Sequence, residues 1–154
     1  MITPKAHKNL IGIDCGKKTG VAVWDVNTQR FSTIKTVDFW NAFEWISSSF
    51  SANETMVYVE DPSQNKPVWR RASMKNYEYQ KKCQHVGGVK RESLLLIEGL
   101  ERKGYNVQAL RPTKLSYTKM SSQNFKKITN YNKRTSEHGR DAAMLVFNRC
   151  GAGL

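Results

Sequence analysis

An opening β-hairpin is the feature that most constrains the fold of this chain. Two short apolar runs, at residues 9–15 and 21–25, are joined by the sequence Gly-Lys-Lys-Thr-Gly. Its two glycines permit a tight reversal. A hairpin is antiparallel, whereas the strands predicted further along the chain are separated by helices, which is typical of parallel pairing. The sequence therefore predicts an α/β fold on a mixed sheet with helices against it.

The rest of the chain alternates between extended and helical patterns. Further strands are predicted at residues 30–37, 56–60 and 105–110. Helices are predicted from Asp38, as an N-cap, to about residue 49, then over residues 81–103 and 137–149. The intervening residues 61–80 lack a clean period and are expected to form an exposed loop leading into a helix. The predicted order is βββαβαβα, in one domain spanning residues 1–154.

Composition limits the class of protein. The 154 residues are 39% hydrophobic and 10% aromatic, which suits one folded domain and excludes a disordered chain. No apolar run approaches the roughly 18 residues that span a bilayer, and there is no signal-peptide core, so a cytoplasmic protein is expected. The cysteines, Cys15, Cys83 and Cys150, are odd in number and lack CxxC spacing, so free thiols are expected.

The net charge of +12 is concentrated in one part of the chain. Residues 66–134 carry 17 basic and 4 acidic side chains, whereas the two flanking segments are close to neutral. The positive electrostatic potential of such a segment favours binding of a polyanionic partner. A membrane surface is the rival partner. It is disfavoured because the basic residues are spread widely and interleaved with aromatics, rather than gathered on one amphipathic helix.

Two acids end apolar strands in the sequence. Asp14 comes at the end of Leu10-Ile11-Gly12-Ile13 in the first predicted strand, and Glu60 ends the run at residues 56–60. Taken singly, each is more simply explained as a solvent-facing residue at a strand end. Two carboxylates brought close together repel each other unless a cation lies between them, so the pair favours a metal site. Asp61 and Glu137 are alternative acids, because a shift of register would exchange their roles with those of the neighbouring acids.

The last predicted helix adds two polar groups. His138 and Asp141 are three residues apart and share a helix face with the apolar Leu145. Packed against the sheet, this helix would bring both to the edge where the strand acids end, although His138 could equally cap the helix. An oxygen-rich site with one imidazole suits Mg²⁺ or Mn²⁺, and two such ions can catalyse phosphodiester hydrolysis.

Three segments together resemble a known family. They are IGIDCGKKTGVAVWD at residues 11–25, MVYVEDP at 56–62 and SEHGRDAAMLV at 136–146. In this order and at these intervals they resemble the RuvC-like Holliday junction resolvases of the RNase H-like superfamily, over nearly the whole chain. Many bacterial members have proline where this chain has Cys15, and the short chain is more similar to phage-encoded members.

The resemblance implies an activity and a set of roles. The protein would be a metal-dependent endonuclease in DNA recombination and repair that resolves four-way DNA junctions by paired symmetric cuts. Asp14, Glu60 and Asp141 would bind the metal ions, with His138 binding metal or positioning the attacking water. A homodimer is implied as well, and the helix from Leu94 to Leu100 is its expected surface.

DNA-binding residues are expected among the basic and aromatic side chains after Glu60 and in the first turn. Trp69 is the candidate wedge for the junction centre, with core packing as the equal alternative. The full candidate set is Lys17, Lys18, Trp69, Arg70, Arg71, Lys75, Tyr77, Arg111, Lys114 and Lys119. Two other functions remain open at this point. One is processing of structured RNA by a YqgF-type nuclease, and the other is nucleic-acid binding without catalysis.

Overall fold

The computed structural model describes residues 7–112, 119–147 and 149 of the chain. The strands are β1 (Asn9–Asp14), β2 (Thr19–Asp25), β3 (Arg30–Val37), β4 (Thr55–Glu60) and β5 (Asn106–Leu110). They form one sheet in the order β3-β2-β1-β4-β5. The first three strands pair antiparallel, and β4 is parallel to both β1 and β5. The predicted α/β fold with a mixed sheet and an opening hairpin is therefore confirmed.

The described residues also form α-helices and two 3₁₀ turns. The helices are α1 (Phe39–Ser49), α2 (Asn76–Arg102), α3 (Ser122–Thr129) and α4 (Glu137–Phe147), and the turns are Ala52–Glu54 and Pro62–Gln64. None of the helices in this part of the chain has both the length and the apolar character needed to cross a membrane.

The helices differ from the prediction in two respects, one additional helix and one earlier start. The short α3 was not predicted, because it buries Phe125 and Thr129 alone and so gives little apolar period to detect. Helix α2 begins at Asn76, inside the segment expected to lead into a helix. A polar cap sets this start, since the Glu78 carboxylate accepts a hydrogen bond from the Lys75 backbone N–H at 3.0 Å.

Each face of the sheet has its own core. On one face, Ile11 and Val57 of the sheet pack with residues of α1 and α2. On the other face, Ala22 and Trp24 of β2 pack with residues of α3 and α4. The sheet is therefore the middle of three layers, with α1 and α2 on one side and α3 and α4 on the other.

Side-chain alternation decides where the strand-end acids point. Ile13 and Val59 are paired across β1 and β4, and both are fully buried in the core beneath α1 and α2. Successive side chains of a strand point to opposite faces. Asp14 and Glu60, one residue further along, therefore point toward the α4 face. We call the edge where β1 and β4 end, at Asp14 and Glu60, the carboxylate edge.

Two glycines allow the α4 backbone to lie directly on the sheet. A Cβ atom on Gly12 would lie 2.1 Å from the carbonyl oxygen of Ala142, and one on Gly20 would lie 2.1 Å from that of His138. Only a residue without a side chain fits at such contacts. Gly12 and Gly20 thus set how closely the first turns of α4 approach the carboxylate edge.

Candidate functional site

The first contact of the site joins the end of β1 to the start of α4. Nδ1 of His138 lies 3.0 Å from Oδ2 of Asp14, within hydrogen-bonding distance. The Asp14 side chain is largely buried, at 15% exposure, whereas the His138 side chain is 48% exposed. One partner is thus held inside the protein while the other faces solvent, where a substrate would arrive.

The start of α4 is held in place by polar contacts. The Ser136 hydroxyl accepts a hydrogen bond from the Gly139 backbone N–H at 3.0 Å and is also hydrogen-bonded to the Thr36 hydroxyl near the end of β3. This is the geometry of a helix N-cap. It fixes the first turn of α4, and with it His138, against the end of β3.

Arg140 ties the chain on both sides of α3 to α4. Its Nε donates to the carbonyl oxygen of Met120 at 2.8 Å, and Nη1 donates to the carbonyl oxygen of Thr135 at 2.9 Å. No sequence pattern distinguishes Arg140, because its partners are backbone atoms. The residue keeps the segment around Met120 beside the first turn of α4.

The three predicted carboxyl groups affect one another. Burial, followed by the nearby charges of Asp14 and Asp141, raises the pKa of Glu60 to about 7. Burial, followed by the charge of Asp14, raises the pKa of Asp141 to about 6. Burial also raises the pKa of Asp14, although its hydrogen bond to His138 acts in the opposite direction. The fold therefore brings Asp14, Glu60 and Asp141 to one edge, where their like charges repel.

The donor set matches the preference of a hard divalent cation. Three carboxylates and one imidazole fit Mg²⁺ or Mn²⁺ in chemical type, and a cation among them would relieve their mutual repulsion. In the part of the chain that the structure describes, no three His, Cys, Asp or Glu side chains are arranged to hold a metal ion.

The two alternative acids occupy different surroundings. Asp61 is buried, and its Oδ1 accepts hydrogen bonds from the Ser63 backbone N–H at 3.0 Å and the Ser63 hydroxyl at 2.6 Å. It caps the turn at Pro62–Gln64 that follows β4. Glu137 is exposed, and its charge contributes to the raised pKa values of Asp14 and Asp141. Glu137 thus lies beside the three carboxyl groups, while Asp61 stabilises the turn that follows β4.

Cys15 follows Asp14 but points into the other face of the sheet. It lies in the core beneath α1 and α2, and burial raises the pKa of its thiol to about 12. Such a thiol is a poor nucleophile at neutral pH. Cys15 and Cys83 are both free thiols, and Cys150 lies outside the described residues.

The aromatic side chains after β4 are on the surface. Trp69 is 77% exposed and Tyr77 is 63% exposed, so the core-packing alternative for Trp69 is wrong. The loop that carries Trp69 is attached to α2, because the Tyr79 hydroxyl donates to the carbonyl oxygen of Val68 at 3.1 Å. Trp69 is therefore a surface aromatic on an anchored loop.

The predicted basic residues that the structure describes are exposed. Lys17 and Lys18 lie in the bend between β1 and β2, and Arg111 follows β5, where its Nε donates to the side chain of Asn65 at 3.3 Å. Of the remaining candidates, those that the structure describes as exposed are Arg70, Arg71 and Lys119. Lys75 is also exposed, at the N-cap of α2. Lys114 lies outside the described residues.

Comparison with known sequences provides no further indication of function. Neither the protein-family models nor the curated proteins compared with this chain gave a match. The function proposed below therefore rests on the residues and their arrangement.

Proposed function

We propose that this protein is a metal-dependent endonuclease that resolves four-way DNA junctions, with an RNase H-like fold and a RuvC-like site. One observation carries the proposal: Asp14, Glu60 and Asp141 from three separate elements meet at one edge of the sheet, with His138 against Asp14. The parallel pairing of β1 and β4 and the close packing of α4 support this arrangement.

In this proposal each site residue has a defined task. Asp14, Glu60 and Asp141 hold one or two Mg²⁺ or Mn²⁺ ions, which when bound supply an activated water and stabilise the leaving oxygen. The Asp14 carboxylate accepts a hydrogen bond from Nδ1 of His138, which fixes the ring and leaves its other nitrogen to bind metal or position the attacking water. Burial of the carboxyl groups strengthens their attraction to a cation.

The cationic surface supports DNA as the substrate. Exposed Arg and Lys side chains neutralise phosphates, and an exposed aromatic ring can stack on a base that is opened at a branch point. Trp69 is proposed as the residue that enters the junction centre, flanked by Arg70 and Arg71. Lys17, Lys18, Arg111, Lys114 and Lys119 are proposed to contact the DNA backbones near the cut.

Paired cuts require two sites, and the outer face of α2 fits a second copy of the chain. Leu96 and Leu100 are fully buried in the core of their own subunit, whereas Leu94 and Leu95 are 42% and 41% exposed. The proposed dimer surface is therefore narrower than the predicted stretch from Leu94 to Leu100. Its apolar centre is the pair Leu94 and Leu95.

Charges around this pair favour an antiparallel arrangement. Suppose that two α2 helices pair about a two-fold axis that passes midway between Leu94 and Leu95. Each residue then faces the residue of the other helix that lies at the same distance from the axis on the opposite side. Arg91 then lies opposite the partner's Glu98, because each is three positions from the central leucines. Two such ion pairs form by symmetry, which gives the contact electrostatic complementarity.

The proposal is tested on a labelled four-way DNA junction, with linear duplex and structured RNA as controls. Reactions contain Mg²⁺ or EDTA, and an Asp14→Asn variant is assayed beside the wild type. Paired symmetric nicks on the junction, lost in EDTA and in the variant, are expected. Cleavage of the RNA instead would assign the protein to RNA processing.

A second candidate function is nucleic-acid binding without catalysis. The observation that favours it is the basic segment at residues 66–134 together with the exposed Trp69, which could bind nucleic acid whether or not the acids hold a metal ion. This candidate predicts salt-dependent binding of the junction by both the wild type and Asp14→Asn, with no cleavage at any Mg²⁺ or Mn²⁺ concentration.

A further inference from the structure

Trp40 is a second strongly exposed tryptophan, besides Trp69, and it lies at the end of the sheet where the acids lie. Its side chain is 69% exposed. It lies in the first turn of α1, directly after β3 ends, and Val37 at that end of β3 is paired with Thr19 of β2. Gly20, the next residue of β2, is paired with Asp14. The first turn of α1, which contains Trp40, therefore lies at the same end of the sheet as the acids.

The indole ring has a defined support. The ring of Phe39 meets that of Trp40 edge to face, with centroids 5.1 Å apart and planes at 86°. Phe39 is itself packed against the core beneath α1 and α2. Edge-to-face contacts of this kind stabilise one ring orientation. Trp40 is therefore an oriented aromatic surface that is open to solvent.

The surroundings of Trp40 suit one planar group better than an apolar protein surface. The other exposed residues of α1 are polar or charged: Asn41, Glu44, Ser48 and Ser49. A protein partner would require a contiguous apolar patch, whereas a single base needs only one ring to stack upon. The neighbouring Asp38 carboxylate is occupied in capping α1, where it accepts from the Asn41 backbone N–H at 2.9 Å.

A cationic bend separates Trp40 from the acids. Lys17 and Lys18 are exposed between β1 and β2, and β2 lies between β1 and β3 in the sheet. β1 and β3 are two strand spacings apart, or about 10 Å. A nucleic-acid strand that leaves the acids toward β3 would therefore cross the bend, where the lysines can neutralise its phosphates, before it reaches Trp40.

We propose that Trp40 is a base-stacking site for an unpaired nucleotide on the β3 side of the carboxylate edge. This inference rests on the proposed function, because it takes nucleic acid as the substrate of the same site. Trp40 follows β3 along the chain and Trp69 follows β4, and these strands lie on either side of β1 in the sheet, so the two aromatics would contact different nucleotides. The site takes a nucleobase of any identity, since stacking is tolerant of sequence.

Binding to single-stranded DNA and to a junction with unpaired bases, in EDTA, tests the stacking contact. Trp40→Leu keeps apolar bulk but removes the aromatic face, and it should weaken binding about 5- to 150-fold. Trp40→Phe should retain much of the affinity, because a smaller ring still stacks. Ile128→Ala is the control for loss of exposed apolar bulk without loss of an aromatic ring, since Ile128 is 51% exposed on α3.

A crosslinking experiment identifies the contact directly. DNA that carries 5-iodouracil in its unpaired segment should crosslink to the peptide that contains Trp40, and mass spectrometry identifies this peptide. The same crosslink should not form in the Trp40→Leu variant. Equal thermal stability of the variants confirms that folding is intact. The inference is overturned if the folded Trp40→Leu protein binds within twofold of the wild type and no crosslink forms at Trp40. Junction cleavage by that variant at the wild-type rate would leave the proposed function standing, whereas a wild type that binds no nucleic acid would overturn both.

Discussion

His138 and Asp14 are 124 positions apart in the sequence, yet Nδ1 of one lies 3.0 Å from Oδ2 of the other. The contact depends on Gly20, because the carbonyl oxygen of His138 occupies the space where a side chain at residue 20 would lie. The contact between His138 and Asp14 therefore depends on how closely α4 packs on the sheet. Substitutions at the site residues and at the packing contact test this dependence.

Replacing His138 with glutamine should slow cleavage while leaving binding intact. The variant loses the imidazole that the Asp14 carboxylate orients, and positioned groups of this kind typically contribute about 10²- to 10⁴-fold to a rate. Single-turnover cleavage of a junction in Mg²⁺ measures the rate, and junction binding in EDTA measures affinity. His7→Gln, which changes a histidine before β1, is the control, and equal rates for both variants would contradict the assigned role.

Gly20→Ala should destabilise the protein. Its added methyl group would lie 2.1 Å from the His138 carbonyl oxygen, so α4 must move away from the sheet. Overpacking of this kind costs about 1–3 kcal/mol, or a fall in melting temperature of about 2–4 °C per kcal/mol for a chain of this size. Gly88→Ala is the matched control, because nothing lies within 4 Å of a Cβ at that helical position. It should leave the stability unchanged or raise it slightly. A Gly20→Ala protein as stable as Gly88→Ala would show that α4 does not rest on β2 in this way.

The metal-free protein should become less stable as the pH rises toward neutrality. Burial raises the folded pKa of Glu60 from 4.5 to about 7, so between these values the folded state retains a proton that the unfolded state has released. Stability falls with pH wherever the folded state binds more protons. The raised pKa of Asp141, about 6, acts in the same direction. Denaturant unfolding in EDTA across this range should show the decline, and Glu60→Gln should reduce it.

Magnesium provides the complementary measurement. A cation that binds the ionised carboxylates of the folded state stabilises it by an amount that grows with the logarithm of the cation concentration once this exceeds the dissociation constant. Added Mg²⁺ should therefore raise the melting temperature of the wild type at about pH 8, where the acids are ionised, and have a smaller effect on Glu60→Gln. A stability that is flat with pH and insensitive to Mg²⁺ would argue against a shared carboxylate site.

The sequence predicted the strand-end acids because each interrupts a local apolar pattern. Asp14 and Glu60 end runs of buried residues, and the three-residue spacing of His138 and Asp141 is readable on any helix. All of these are short-range signals. They were sufficient to predict the mixed sheet and to nominate the four residues that the fold brings to one edge.

The features that were missed depend on contacts between distant elements. The function of Gly20 requires the path of α4, and the partners of Arg140 are backbone atoms on either side of α3. The exposure of Trp40 was also not predicted, since Phe39 and Ile46 share the helical period of the core, while Trp40 lies outside that apolar face. Local patterns reveal which face of an element is apolar, and they leave open what covers it.

The antiparallel contact between α2 helices predicts the outcome of a charge exchange. Arg91→Glu and Glu98→Arg should each weaken the dimer, because each places like charges opposite one another at both symmetry-related positions. The double exchange should restore it. Glu98 also forms an ion pair with Arg102 of its own helix at 2.6 Å, so Arg102→Gln tests whether loss of that internal pair alone has an effect. Sedimentation equilibrium at low and high salt measures the association, with weaker coupling expected at high salt. Single exchanges that dimerise as the wild type does, or a wild type that stays monomeric at micromolar concentration with and without DNA, would contradict this arrangement.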